Sequence, residues 1–268
     1  MSFSPVSCYF CLVQVVILAG GLGTRLSEET SVIPKPMVKI GDMPILVHIM
    51  NHYASYGHSD FIIALGYRGY LIKEYFLNYK THVSDIEVNL GTGEIDFLST
   101  KSPLWKIRLI DTGELSPTGE RLRRLEPHLN DNFFLTYGDG LSNVDLDKLL
   151  AFHQTHSGLV TVSAVKPPPR FGTIEIKEGQ VVDFSEKSAS KEGWINGGYF
   201  VMRKNIMDFI KKDESLEDGA LTRIAPKGLL KAYLHQEFWH PMDTLRDKNY
   251  LNELWRTDQP PWKVLPRE

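Results

Sequence analysis

Cysteine is almost absent from this chain: Cys8 and Cys11 are the two thiols in 268 residues, and both lie near the start. With no partner further along the chain they cannot staple a fold, so a disulfide framework is excluded and a reducing compartment fits. Long hydrophobic runs are missing too. The opening MSFSPVSCYFCLVQ lacks the basic start and small-residue cleavage site of a secretory signal, and the apolar run through Leu18 is too short to cross a bilayer. The expectation is a cytoplasmic protein with no membrane span. Neither sign of charge is in excess: the formal net charge of -3 gives no electrostatic reason to expect nucleic acid as a partner, so any anion must be met locally. The first glycine-rich turn has neither the GxGxxG spacing of a dinucleotide fingerprint nor the Lys-Ser/Thr of a P-loop.

What is present is ordinary globular material, 42% hydrophobic and 24% charged, in a length that suits one large α/β domain. Residues 1–14 read as an extension and 15–268 as the domain, with a substrate-side subregion over about 166–240. Val13 to Ala19 is nearly continuous and β-branched before it stops at Gly20 and Gly21, which predicts a buried parallel strand opening into a loop. Ile45, Leu46, Ile49, Met50 and Tyr53 recur at helical spacing until Gly57, Phe61 to Leu65 repeats the strand signature, and GYLIKEYFLNY turns helical again. This alternation predicts a Rossmann-like, doubly wound α/β fold with a mixed, mostly parallel sheet. IEVNL and EIDFL read as a hairpin about Gly91–Gly93, and further strands are predicted at Ile107–Ile110 and Phe133–Tyr137, the core sheet running to about Val165. FGTIEI, QVVDF and WINGGYFVM then predict a smaller antiparallel substrate-side layer, and Leu245–Trp255 a final packing helix.

Chemistry concentrates first in GGLGTRL, Gly20 to Leu26. Three glycines at a strand end let backbone amides approach an anion, Thr24 adds a hydroxyl donor and Arg25 a delocalised charge. The same turn could serve simply as a tight connection. In IPKPM, Lys35 stands between Pro34 and Pro36, which restrict the backbone and aim the ammonium; read alone it could be a solvated surface lysine. Asp139 follows the apolar strand FFLTY between Gly138 and Gly140, at the strand end where open α/β sheets bind ligands, although Asp-Gly is also a common turn. Asp243, just before the last helix, could be its N-cap or a ligand.

GGLGTRL followed by PKPM resembles the sugar-1-phosphate nucleotidyltransferases. The likeness continues colinearly through GYRGYLIKEYF (66–76), DTGELSPTGERLRR (111–124), TYGDG (136–140), RFGTIEI (170–176), INGGYFV (195–201) and FWHPMDTLRDKNYLNELW (238–255). GERLRR and PMDTLRD are similar to the branch that joins CTP to glucose 1-phosphate as substrates. The resemblance implies Mg²⁺ as cofactor, held at Asp139 and Asp243, with Arg25, Lys35 and Asp139 as the catalytic groups. It implies substrate contacts along Leu18, Ala19, Gly20, Gly21, Leu22, Gly23, Thr24 and Arg25 and at Lys35. Nucleotide contacts fall at Ser116, Arg121 and Gly138, sugar-phosphate contacts at Glu186, Lys187 and Asn196, and Arg170 lies near the site. A homo-oligomer, up to a hexamer, and a supply of CDP-glucose for deoxysugars of bacterial surface polysaccharides such as O antigen follow from the same likeness. Ile33, Glu120, Ser188 and the Gly219-Ala220 pair depart from the family's usual residues. Three other readings compete. A sister transferase would use another triphosphate or sugar. A catalytically silent, ligand-sensing subunit has no reason to keep Arg25, Lys35, Asp139 and Asp243 together. A dinucleotide oxidoreductase is opposed by the loop spacing.

Overall fold

The computed structural model describes residues 12–23, 26–167, 173–177, 180–185, 193–257 and 259–263. Seven strands, β1 (Gln14–Leu18), β2 (Asp60–Leu65), β3 (Lys106–Asp111), β4 (Asn132–Tyr137), β5 (Val160–Val165), β6 (Ile195–Arg203) and β7 (Leu230–Leu234), share one sheet. Their order is β7-β5-β6-β4-β1-β2-β3. Every neighbouring pair is parallel except the two made by β6, which runs against both β4 and β5. The doubly wound, mostly parallel expectation therefore holds.

The continuous apolar run of β1 has a direct cause. Side chains alternate across a strand, and here both faces are covered. Val15 and Ile17 enter one core with Ile45, Ile49 and Tyr53 of helix α1 (Ile45–Ser55). Val16 and Leu18 enter a second core with Leu122 and Leu125 of another helix, Thr118–Leu125. Each such side chain taken out of water contributes about 2 kcal/mol. Helix α1 ends at Ser55, and Gly57 follows in the left-handed region at φ 88°, where a helix C-terminus commonly turns. Between α1 and Thr118–Leu125 lies α2 (Gly69–Leu77), so the latter is α3; α4 (Leu146–Gln154) and α5 (Leu245–Trp255) complete the longer helices. None of the described helices is long and apolar enough to cross a membrane.

Outside the sheet, Ile86–Val88 pairs with Ile95–Phe97, the predicted hairpin, and Thr173–Lys177 pairs with Gln180–Ser185. The structure differs from the sequence expectation for the third segment, WINGGYFVM. Instead of joining the substrate-side ribbon, β6 lies inside the main sheet. Tyr199, Phe200, Val201 and Met202 are all buried, split between the two cores as a central strand requires. In α5, Leu251 is buried and Leu254 and Trp255 pack on the core, whereas Leu245 and Tyr250 remain exposed, Tyr250 lying 4.7 Å from the ring of His240.

Candidate active site

From β1 the chain moves to one side of the sheet to build β2 and β3, then returns to the other side to build β4. The loops after β1 and β4 therefore diverge at the carboxyl edge, leaving a crevice at the switch point. Its volume is about 320 Å³, and it is lined by Leu18, Ala19, Gly20, Gly21 and Gly23 from the first loop, Tyr137, Gly138 and Asp139 from the second, Ser116–Thr118 and Arg121 at the start of α3, and Lys35, Pro36 and Asp243.

Lys35 opens a short helical turn, Lys35–Met37, directly after Pro34. Its ammonium lies 2.6 Å from Asp139 Oδ2 and 2.8 Å from Asp243 Oδ1, although the three residues are more than a hundred positions apart in sequence. A two-stranded ribbon brings the aspartates together: Gly140–Ser142 pairs with Trp239–Pro241, and Met242 N–H donates to Asp139 O at 2.8 Å. Burial acts to lower the Lys35 pKa, but the charges and hydrogen bonds of Asp139 and Asp243 outweigh it, and the net shift is upward. Lys35 is thus a fixed positive charge throughout the neutral range.

The local alternative for Asp243 is resolved by its neighbour. Thr244 caps α5, its Oγ1 accepting from Asp247 N–H while Asp247 Oδ2 accepts from Thr244 N–H at 2.9 Å. This reciprocal capping box satisfies the helix start and leaves the Asp243 carboxylate directed at Lys35. Two carboxylates converging on one cation are also a suitable hard-oxygen pair for Mg²⁺, an ion that typically takes one or two carboxylates and completes its shell with phosphate oxygens and water. Among the described residues no cluster of three or more His, Cys, Asp or Glu gathers to hold a metal, so those residues would offer it this pair.

Gly23 has φ 65°, and a Cβ on Gly20 would stand 2.1 Å from Arg121 Nη1. Both positions therefore require glycine. At Gly23 the cause is the left-handed backbone; at Gly20 it is Arg121, which sequence reasoning cast as a nucleotide contact. The residue is only 4% exposed, and its guanidinium donates to the carbonyls of Gly20, Leu65, Gly113 and Glu114 and to Thr112 Oγ1, at 2.7–3.0 Å. Burial pulls its pKa below the ordinary arginine value. Arg121 lines the crevice and at the same time clasps the glycine loop to the 112–114 loop. Glu120, fully buried, accepts from Arg123 and Arg124. Those partners, Arg123 first, outweigh burial and bring its pKa down to about 2.

Leu22 is exposed and does not line the crevice. Asn196 lines an adjoining niche of about 40 Å³ that shares Tyr137 and Asp139 with the crevice. Thr24, Arg25, Arg170, Glu186 and Lys187 lie outside the described residues. Tyr137, Pro36, Thr118 and Trp239 border these cavities without having been singled out as contacts; Tyr137 had a signal, since it immediately precedes Gly138-Asp139.

The family model described as Nucleotidyl transferase matches residues 14–247. The chain belongs to the nucleotidyl transferase family. Similar family members include the glucose-1-phosphate cytidylyltransferase of Salmonella typhimurium, 46% identical over 94% of this chain and 99% of that protein. The probable glucose-1-phosphate cytidylyltransferase of Bacillus subtilis is 41% identical over the same shares. A probable mannose-1-phosphate guanylyltransferase of Arabidopsis thaliana is 28% identical over 90% of this chain and 64% of its own length. In fold the chain is similar to HddC from Yersinia pseudotuberculosis, with a TM-score of 0.65, 24% identity and coverage of 91% of this chain and 100% of that one.

Proposed function

We propose that this nucleotidyl transferase moves a cytidylyl group from CTP to α-D-glucose 1-phosphate, giving CDP-glucose and pyrophosphate. The observation that carries the proposal is the Lys35–Asp139–Asp243 cluster at the head of the crevice between the loops after β1 and β4. Base and sugar follow the gradient of likeness: relatives at 41–46% identity are named for glucose 1-phosphate and cytidylyl transfer, whereas a guanylyl relative stands at 28%.

The chemistry asks little of acids and bases. A phosphate oxygen of the sugar phosphate attacks the α-phosphorus of CTP in line, forming the new P–O bond as the bond to pyrophosphate breaks. That oxygen is already ionised near neutral pH, so no side chain must remove a proton. The barrier comes from bringing two anions together, and positioning with charge neutralisation lowers it. The amides of Gly20–Gly23 face the triphosphate, Lys35 offsets charge at the reacting phosphates, and Arg25 is proposed to do the same from the glycine loop. Ser116 and Gly138 border the nucleotide, with Arg121 holding the loop carbonyls beside it. Asn196 borders the sugar phosphate, and Glu186 and Lys187 are proposed to join it there. Asp139 and Asp243 would hold Mg²⁺, which when bound neutralises triphosphate charge. Charged substrates of this kind fit a cytoplasmic location, and a homo-oligomer is proposed from the family likeness; light scattering on a sizing column tests it, a lone monomer refuting it.

Pyrophosphate release from the purified protein with glucose 1-phosphate, Mg²⁺ and each nucleoside triphosphate in turn tests the reading. Release confined to CTP and lost in Asp139→Ala supports it; release with another triphosphate reassigns the base, and none at all refutes it.

A further inference from the structure

Glu217 lies behind the crevice wall on the turn Leu216–Leu221, yet its carboxylate collects three hydroxyls. Tyr137 Oη donates to Oε1, and Thr118 Oγ1 and Ser215 Oγ donate to Oε2 at 2.5 and 2.7 Å. Burial acts to raise its pKa, but these donors outweigh it and the net shift is downward. At neutral pH Glu217 is therefore an ionised carboxylate, which can only accept hydrogen bonds.

The segment that carries Glu217 is itself anchored to α3. Leu216 N–H donates to Thr118 Oγ1 at 2.9 Å, Glu120 N–H to Glu214 O at 3.1 Å, and Asp213 N–H to the buried Glu120 carboxylate at 3.2 Å. A phenol has one proton to give, and in Tyr137 that proton goes to Glu217. What Tyr137 keeps on offer is an acceptor. It sits where the main crevice meets the niche, with Asp139 bordering both cavities; Asn196 Nδ2 donates a long hydrogen bond, 3.4 Å, to one lone pair of its oxygen, and the other lone pair faces no donor among the described residues.

We infer that Tyr137 accepts a hydrogen bond from a hydroxyl of the sugar 1-phosphate, and that Glu217 is the positioning residue that fixes this polarity by holding the phenolic proton. The inference rests on the sugar-1-phosphate reading above and specifies which side chain reads the sugar. It makes Tyr137→Phe and Glu217→Gln act alike for different reasons. The first removes the acceptor, and the second lets an amide donate to the phenolic oxygen and turns the phenol outward as a donor.

The test is steady-state kinetics with glucose 1-phosphate and its monodeoxy analogues, with thermal unfolding in parallel. In both variants KM for glucose 1-phosphate rises about tenfold, the worth of one hydrogen bond, while KM for CTP stays within about twofold. One monodeoxy analogue, lacking the hydroxyl that Tyr137 reads, has the same KM in wild type and Tyr137→Phe; the other analogues keep the gap. A merely structural role for Tyr137 would shift all analogues equally, and that result overturns the inference, as does an unchanged KM in Tyr137→Phe. If Glu217→Gln fails to fold, Tyr137→Phe decides alone. Wild-type protein that releases no pyrophosphate with any triphosphate refutes the parent reading, and the inference with it. Wild-type turnover with an unaltered Tyr137→Phe refutes the inference alone.

Discussion

Replacing Lys35 with methionine keeps the length of the stem and deletes one charge. That charge stands 2.6 Å from Asp139 and 2.8 Å from Asp243, whose side chains are 33% and 19% exposed. At such exposure each pair is worth about 1 kcal/mol after screening, so the variant loses roughly 2 kcal/mol of stability. For a chain of this size that is a fall of about 4 °C in Tm. Catalysis loses more: a charge aligned on the reacting phosphates contributes about 3 kcal/mol to transition-state binding, or on the order of a hundredfold in kcat. A third effect has the opposite sign. Two carboxylates deprived of their ammonium attract a divalent cation more strongly, so the half-saturating Mg²⁺ concentration falls even as kcat drops. Initial rates of pyrophosphate release over a Mg²⁺ titration, at saturating CTP and glucose 1-phosphate, measure both together. Wild-type kcat in the variant would refute the alignment of Lys35 on the phosphates. A rise in half-saturating Mg²⁺ would refute the assignment of Asp139 and Asp243 as the metal's ligands.

Cap and ligand are separable by rate at the start of α5: Asp243→Asn breaks one Lys35 ion pair and Thr244→Ala removes a cap, each costing about 1 kcal/mol of stability, but only Asp243→Asn lowers kcat, by about a hundredfold, as rates and calorimetry on both variants will show. Gly20→Ala drives a methyl to 2.1 Å from Arg121 Nη1, unseating the clasp; Tm falls and KM for CTP rises, and an unchanged KM for CTP would show that the loop tolerates the loss. Glu120 has its carboxyl pKa depressed from 4.5 to about 2, so its stabilisation is complete above pH 4.5 and lost as pH falls toward 2. Acid unfolding of Glu120→Gln followed by circular dichroism is therefore shallower than wild type across that window.

Much of this architecture was legible because single residues carried it. The apolar runs of β1 and β4 announce strands covered on both faces, and prolines on either side of Lys35 announce an aimed side chain. Other features were hidden by distance. Glu217 meets Tyr137 and Thr118 across 80 and 99 residues, and nothing in LEDGAL hints that its acid is partly buried. Arg121 sits in a short run that reads as a basic, solvated helix surface, yet its guanidinium is enclosed by carbonyls from two strand ends and a loop. β6 was misplaced because WINGGYFVM follows FGTIEI and QVVDF closely with turn residues between, while the buried YFVM within it carried the better signal. β7, only partly covered as an edge strand, has too weak a pattern to stand out.

The reversed strand has a consequence for how the chain comes to be folded. β5 is made before β6 but cannot join β4 directly, because β6 must first slot between them. A nascent chain emerging from the ribosome therefore holds β5 waiting, its apolar residues unpaired, until residue 203 has appeared. Closure through such distant contacts is slow. Fragments ending between residues 165 and 195 are therefore expected to aggregate instead of folding, the practical signature of one strand inserted out of order.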